Sequence, residues 1–217
     1  MRTPNADSVS TYWDYVASLY LERFRHEFDN KPYDCRKIAE FAARLGPGAR
    51  VCDAGCGPCG HVTHMLDQAG LSAFGVDISP HCVELARHEH PDLSFLVMNI
   101  AQLAILDQSL DGLISYYALH YLPRRQIGNV LAEFARVLKP GGELLLVLKE
   151  GQTDGWIDCP MESGQQVYWS EFTAPELESA ATAGGFCRVH CEVREPLPGE
   201  IASRRIYLSA QRKPDAA

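Results

Sequence analysis

In Val51-Cys52-Asp53-Ala54-Gly55-Cys56-Gly57-Pro58-Cys59-Gly60 a short apolar run ends in an acid and gives way to a glycine-rich turn. The stretch that follows, His61 to Ala69, carries Val62, Met65 and Leu66 on one side and stops at Gly70. This order predicts a strand feeding a helix through a loop whose backbone a ligand can approach closely. A second apolar run, Ala73 to Ile78, presents another acid, Asp77, in Gly75-Val76-Asp77.

Toward the N-terminus, apolar residues at Val9, Trp13, Val16, Tyr20, Phe24 and Phe28 recur at three- and four-residue spacing, which predicts one face of a helix. Asn30-Lys31-Pro32 breaks it, and Asp34 is placed to cap a second helix carrying Ile38, Phe41, Ala42 and Leu45, ended by Gly46-Pro47-Gly48. This helical cap covers about residues 8–46. Its first helix either folds over a ligand as a lid or simply packs on the sheet.

Toward the C-terminus, Ser79-Pro80 supplies an N-cap and a first-turn proline for a helix ending before Pro91. Ser94 to Met98 reads as a third strand and Leu113 to Tyr117 as a fourth. Arg124 to Leu138 is a helix with Ile127, Leu131, Phe134 and Leu138 on one face, and Lys139-Pro140-Gly141-Gly142 turns the chain into a fifth strand, Glu143 to Leu148. The pattern then lapses, and residues 151–170 are a candidate substrate loop, or else a solvent-exposed insertion. Thr173 caps a helix over Ala174 to Ala183, Gly184-Gly185 ends it, and Phe186 to Glu195 and Ile206 to Ala210 alternate as strands. With no helix between them, these two pair antiparallel. The tail from Lys213 to Ala217 reads as disordered. Strands alternating with helices predict an α/β fold: a mostly parallel sheet with helices on both faces, in a single domain over residues 1–217 with its core at about 47–213.

The 217 residues are 46% hydrophobic and 22% charged, with no apolar run near the ~20 residues that cross a bilayer, so no membrane partner is expected. The polar stretch from Met1 to Ser10 lacks the apolar core of a signal peptide, and a cytoplasmic location is expected. A net charge of −8 argues against nucleic acid, whose phosphates need clustered Lys and Arg, and favours a small-molecule partner. Composition is silent on oligomeric state. The eight cysteines are expected as free thiols. Cys52, Cys56 and Cys59, with His61 and His64 nearby, invite a metal reading, but a strand cysteine and two in a glycine loop read more simply as small space-filling residues, and no metal is expected.

Taken literally, Gly55 to Gly60 matches the dinucleotide fingerprint G-x-G-x-x-G, with Asp77 about 20 residues on as a ribose-binding acid, so a nicotinamide or flavin oxidoreductase is one reading. Three features oppose it. The Asp53 charge would repel a pyrophosphate, Pro58 removes one N–H from a phosphate cradle, and the closing strand pair departs from a second mononucleotide-binding half.

The residues resemble the S-adenosylmethionine-dependent methyltransferases with the seven-stranded Rossmann-like fold (class I), of the small-molecule type. Asp53-Ala54-Gly55-Cys56-Gly57 is similar to that family's first motif, and Val76-Asp77-Ile78-Ser79 to its second strand end. Asp111-Gly112-Leu113-Ile114 with Ala118-Leu119-His120-Tyr121-Leu122-Pro123 resembles its fourth strand and the turn beyond. The most specific match is Arg136-Val137-Leu138-Lys139-Pro140-Gly141-Gly142, and Trp13-Asp14, Val16-Ala17 and Tyr20 look like the family's N-terminal helix. The resemblance runs from about Trp13 to Lys213. It implies a last strand running antiparallel, S-adenosyl-L-methionine as cofactor, and methyl transfer by in-line displacement to a small organic acceptor through O, N, S or C. Two other readings stay open: a family relative that binds the cofactor without turnover, as a regulatory or scaffold protein, and methylation of a protein or RNA, which the acidic balance disfavours for RNA.

Carried residue by residue, the resemblance puts Gly55 and Gly57 against the methionine part of the cofactor, with Asp53 nearby. Asp77 would accept both ribose hydroxyls, with Ile78 beside it. Asn99, where the family usually has Asp, would meet the adenine amino group, and Ile100 and Leu103 would flank the ring. Tyr116 would lie along the methionine chain, and the Tyr20 ring would attract the sulfonium. Cys59, where the family often has a third glycine, is a departure. His120 is the candidate catalytic base for a poorly acidic acceptor, with an orienting or capping role as the alternative. Trp13, Tyr117, Tyr121, Trp156, Tyr168 and Trp169 are candidate walls of the acceptor site, or ordinary core aromatics.

Overall fold

A computed structural model describes residues 4–215. Its centre is a seven-stranded sheet in the order β3-β2-β1-β4-β5-β9-β8. The strands are β1 (Arg50–Ala54), β2 (Ser72–Asp77), β3 (Ser94–Val97), β4 (Leu110–Tyr116), β5 (Leu138–Lys149), β8 (Phe186–Arg194) and β9 (Arg205–Arg212). The first five pair in parallel, while β9 runs antiparallel to both β5 and β8. The sequence-based expectation of an α/β, mostly parallel sheet closed by antiparallel strands therefore holds.

Period-two alternation explains how both faces are covered. Along β5, Leu144, Leu146 and Leu148 enter one apolar cluster, where α5 (Ile127–Val137) and α6 (Ala174–Ala183) pack. Leu145 and Val147 enter the opposite cluster with Ile38 and Phe41 of α2 (Pro32–Leu45) and Val62 and Leu66 of α3 (His61–Gln68). A third, smaller cluster joins Val83 and Ala86 of α4 (Pro80–Glu89) to Phe95.

Helix ends follow the local chemistry. Ser79 accepts from Cys82 N and Pro80 opens α4, as the sequence indicates. Thr173 and Glu176 form a capping box at α6. Asp34 does not cap α2: Lys31 occupies that position, Pro32 starts the helix, and the Asp34 carboxylate is buried, accepting from Tyr116 Oη at 2.9 Å and Tyr207 Oη at 2.8 Å. The first apolar stripe is likewise divided, between α1 (Ala6–Phe24) and a short 3-10 turn, Glu27–Asn30, that contains Phe28.

Residues 151–170 are not an irregular loop. They form a hairpin of β6 (Asp154–Asp158) and β7 (Gln166–Ser170), a separate two-stranded sheet. Of the tail expected to be disordered, Lys213 is tied down through its backbone N–H to Gly185 O at 2.9 Å and its Nζ to Thr182 O at 2.7 Å. Residues 216–217 lie outside the described part.

Candidate functional site

The parallel strands β1, β2 and β4 deliver Asp53, Asp77 and Tyr116 to one edge of the sheet, where open α/β folds keep their ligands. Because β9 runs the other way, its first residue, Arg205, arrives at that same edge, opposite Lys149 at the end of β5. A cavity of about 660 Å³ opens there, within the ~300–1,000 Å³ usual for small-molecule sites. Helix α1 covers it. Of the stripe that marks one face of this helix, Val9, Trp13, Tyr20 and Phe24 line the hollow.

At the glycine-loop end, Gly55 sits at φ 86°, and a Cβ there would come within 2.2 Å of the Ala118 Cβ. Gly57, at φ 62°, has nothing within 4 Å of where a Cβ would project, so it leaves open space beside the cavity. Its N–H donates to Asp77 Oδ2 at 3.0 Å, and Ser79 N donates to Asp77 Oδ1 at 3.0 Å, leaving each oxygen a further lone pair. Burial pushes the Asp77 carboxyl up to about 6.

Asp53 is more deeply set. Its Oδ2 accepts from Thr63 N at 3.0 Å and Thr63 Oγ1 at 2.8 Å, while its Oδ1 is buried without a partner. Burial pushes this carboxyl up to about 7 against those bonds. An orphaned carboxylate oxygen on a residue lining the cavity suits a cationic ligand group, and the glycine cradle suits close backbone approach. The residues present therefore fit a ligand carrying a cationic amino-acid portion and a ribose.

Ile78, Asn99, Ile100 and Tyr116 also line the cavity. Asn99 Oδ1 accepts from Ala101 N at 2.9 Å, so part of its accepting capacity holds its own turn. Leu103 does not reach the cavity; it packs in the main core cluster, its N–H bonded to Glu133.

At the other end, Trp13, Tyr117, Tyr121 and Trp169 form the wall. Ring centroids are 5.0 Å apart for Trp13 and Tyr121 and 5.5 Å for Tyr121 and Trp169, both edge to face. Trp156 and Tyr168 are absent from it: they pack edge to face on each other in the β6–β7 hairpin, and Tyr168 Oη donates to Asp154 Oδ1 at 2.7 Å. That hairpin reaches the cavity through Pro160, Met161 and Trp169.

His120 is corrected as well. It is fully buried, stacked on Trp169 at 4.2 Å, and both ring nitrogens are bound to backbone. Nδ1 donates to Ser170 O at 2.6 Å and Nε2 accepts from Lys149 N at 3.0 Å. Burial lowers its pKa to about 4. A neutral imidazole with neither nitrogen free takes no proton from an acceptor; it joins β5, the η-turn at Ala118–Tyr121 and β7.

The sequence reading did not single out Glu27, Lys31, Lys149 or Arg205, all of which line the cavity. Lys149, last residue of the fifth strand, could have been found from the rule that ligands sit beyond strand ends. Arg205 could not, because its place depends on β9 crossing back beside β5.

The region 51–142 matches the sequence model of a methyltransferase domain. That stretch, from β1 into the start of β5, therefore carries the pattern of a methyltransferase domain. The chain is 23% identical, over 79% of its length, to an uncharacterized methyltransferase of Anoxybacillus flavithermus, spanning 84% of that relative. It is 31% identical over 48% of its length to an uncharacterized methyltransferase of Synechocystis, spanning about half (48%) of that chain. Among solved structures, the Burkholderia thailandensis 1,6-didemethyltoxoflavin-N1-methyltransferase, crystallised with 1,6-didemethyltoxoflavin and S-adenosylhomocysteine, superposes with a TM-score of 0.74. That match covers 99% of this chain and 93% of the other at 21% identity. No helix among the described residues is long and apolar enough to cross a membrane.

Proposed function

We propose that the protein is an S-adenosylmethionine-dependent methyltransferase acting on a small organic acceptor held between the cofactor and the aromatic wall under α1. The observation that carries the reading is one continuous cavity, with a glycine and carboxylate end joined to an aromatic end. When bound, S-adenosylmethionine would supply an electrophilic methyl group for transfer to the acceptor's lone pair, with its sulfur as the leaving group.

The chain's residues would supply binding, alignment and dryness. Asp77 accepts from the ribose hydroxyls through its remaining lone pairs, and Asp53 Oδ1 receives the cationic amino group. Asn99 and Ile100 border the adenine, and Tyr20 offers a ring face to the sulfonium. Alignment of an acceptor in a closed site supplies several kcal/mol of the barrier reduction. Helix α1 closes over both ligands and is latched to α4: Asp14 Oδ1 accepts from Ser79 Oγ at 2.6 Å and His81 N at 3.1 Å. With His120 excluded as a base, acceptors that ionise on their own or react as free amines or thiols fit best.

The test is calorimetric titration with S-adenosylmethionine and S-adenosylhomocysteine, with NADH and NADPH as controls, followed by an acceptor screen with the radiolabelled methyl donor. Binding of the first pair alone and labelling of a small acceptor support the reading. Dinucleotide binding, or cofactor binding with no transfer to any acceptor class, defeats it.

A further inference from the structure

The acceptor end of the cavity holds donors that nothing in the protein receives. Tyr117 Oη and Arg205 Nε are both buried and both lack a hydrogen-bond partner. Burial raises the pKa of the Tyr117 hydroxyl, and the neighbouring Arg205 guanidinium pulls it back down. A buried donor left unpaired is destabilising. Tyr117 also sits at φ 58°, a left-handed conformation rare for an aromatic residue, fixed by its N–H donating to Val147 O at 2.8 Å.

Lys149 adds charge to these donors. It pairs directly with Arg205 across β5 and β9, and residues directly opposite in an antiparallel pair project from the same face. Two cations so placed repel, and Arg205 is 3% exposed. The surrounding acids are largely committed. Glu200 is shared by Arg194 at 2.8 Å and Arg205 at 3.1 Å, Asp34 receives Tyr116 and Tyr207, and Glu27 is ion-paired with Lys31. Glu171 and Glu27 are the acids whose field reaches Lys149, and the Glu171 oxygens already accept from Thr153 Oγ1 at 2.7 Å and Trp169 Nε1 at 3.3 Å. Lys149 makes no ion pair among the described residues, and its ammonium lies over the Trp169 ring, 5.0 Å from the centroid. Burial and the neighbouring Arg205 and Lys31 lower its pKa, the direction given by a cation without enough counter-charge.

Resting on the methyl-transfer reading above, we propose that the acceptor is a small organic acid, whose carboxylate or phenolate is anchored by Lys149, Arg205 and Tyr117 while its apolar body lies against Trp169 and Tyr121. An anion here satisfies the orphaned hydroxyl and guanidinium N–H and relieves the repulsion across β5 and β9. A neutral or cationic acceptor of the same shape does neither.

The test uses the full chain saturated with S-adenosylhomocysteine and titrated, by calorimetry and tryptophan fluorescence, with benzoate, 4-hydroxybenzoate and indole-3-acetate against their amides. Expected is a preference of about tenfold or more for at least one acid over its amide, the scale of a hydrogen bond to a charged group. In Lys149→Gln that preference shrinks about tenfold, in Tyr117→Phe it shrinks less, and the affinity for S-adenosylhomocysteine is unchanged in both. Equal binding of acids and amides, no binding of any acid, or a preference untouched in both variants overturns the proposal. Failure of S-adenosylhomocysteine to bind would instead defeat the methyltransferase reading, so the two failures are distinguishable.

Discussion

Single residues at this site are tuned by burial more than by neighbouring charge. Asp77 keeps a lone pair free on each oxygen after accepting from Gly57 and Ser79, so Asp77→Ala should weaken cofactor binding by about 1–3 kcal/mol, read by calorimetry in a variant that still folds. Unchanged affinity would remove Asp77 from the ribose. His120 belongs to the scaffold, and its pKa of about 4 against an ordinary 6.5 has a thermodynamic consequence. Between those values the unfolded chain binds the proton that the folded chain refuses, so the stability His120 contributes is complete above pH 6.5 and is lost as the pH falls toward 4. The full loss is about 3 kcal/mol. His120→Gln should therefore be less stable than the parent at pH 7 by about 1–3 kcal/mol, with the gap narrowing on acidification. Denaturant titrations at pH 7 and pH 5 check this, and a gap independent of pH would refute it. Asp53, raised to about 7, shifts parent stability in the opposite direction over much of the same range, so the difference between variant and parent, not the parent curve, isolates His120.

At the scale of elements, the turn after β1 and the helix α1 define the ligand's floor and roof. Gly55 has no room for a side chain: at φ 86° with Ala118 Cβ 2.2 Å from a built Cβ, Gly55→Ala forces the β1 turn away from the Ala118–Tyr121 turn. A stability loss of about 1–3 kcal/mol is expected in thermal or denaturant unfolding. Gly57→Ala is the contrasting change, since its Cβ enters open space beside the cavity and the left-handed backbone alone is strained. It should reduce cofactor affinity more than Gly55→Ala does, relative to the stability each loses. The roof is held by Asp14 at the N-terminus of α4, where its carboxylate joins Ser79 in binding N–H groups and favours the positive end of the helix dipole. Asp14→Ala should cost about 1 kcal/mol and speed limited proteolysis within α1, with added S-adenosylhomocysteine and acceptor restoring protection. Proteolysis as slow as in the parent would mean that the aromatic stripe, not the latch, holds the helix down.

For the molecule as a whole, two raised carboxyls in one cavity predict that the free protein holds protons which the cofactor must displace. Asp53 and Asp77, at about 7 and about 6, are partly protonated in the unliganded site near neutral pH. A cationic amino group favours the ionised Asp53, so cofactor binding should release protons around pH 6–7 and be about tenfold or more weaker at pH 5.5 than at pH 8. Calorimetry in buffers of different ionisation enthalpy reads both, and a pH-independent affinity would sink the assignment. Much of this molecule was legible from the chain itself. The acid and glycines of the β1 turn, the alternation of strands with helices that covers both faces of the sheet, the Ser79-Pro80 start of α4 and the helix-free run into the last strand are local patterns, because backbone conformation and face burial are set by neighbours a few residues apart. Tertiary structure decided the rest. It turned Asp34 from a helix cap into a buried acceptor for two tyrosines, fixed both nitrogens of His120 to backbone, and kept Trp156 and Tyr168 out of the cavity. It also set Lys149 beside Arg205. These outcomes depend on partners from distant parts of the chain, and a strand that reverses direction brings its beginning, not its end, to the site, a choice that no spacing along the sequence encodes.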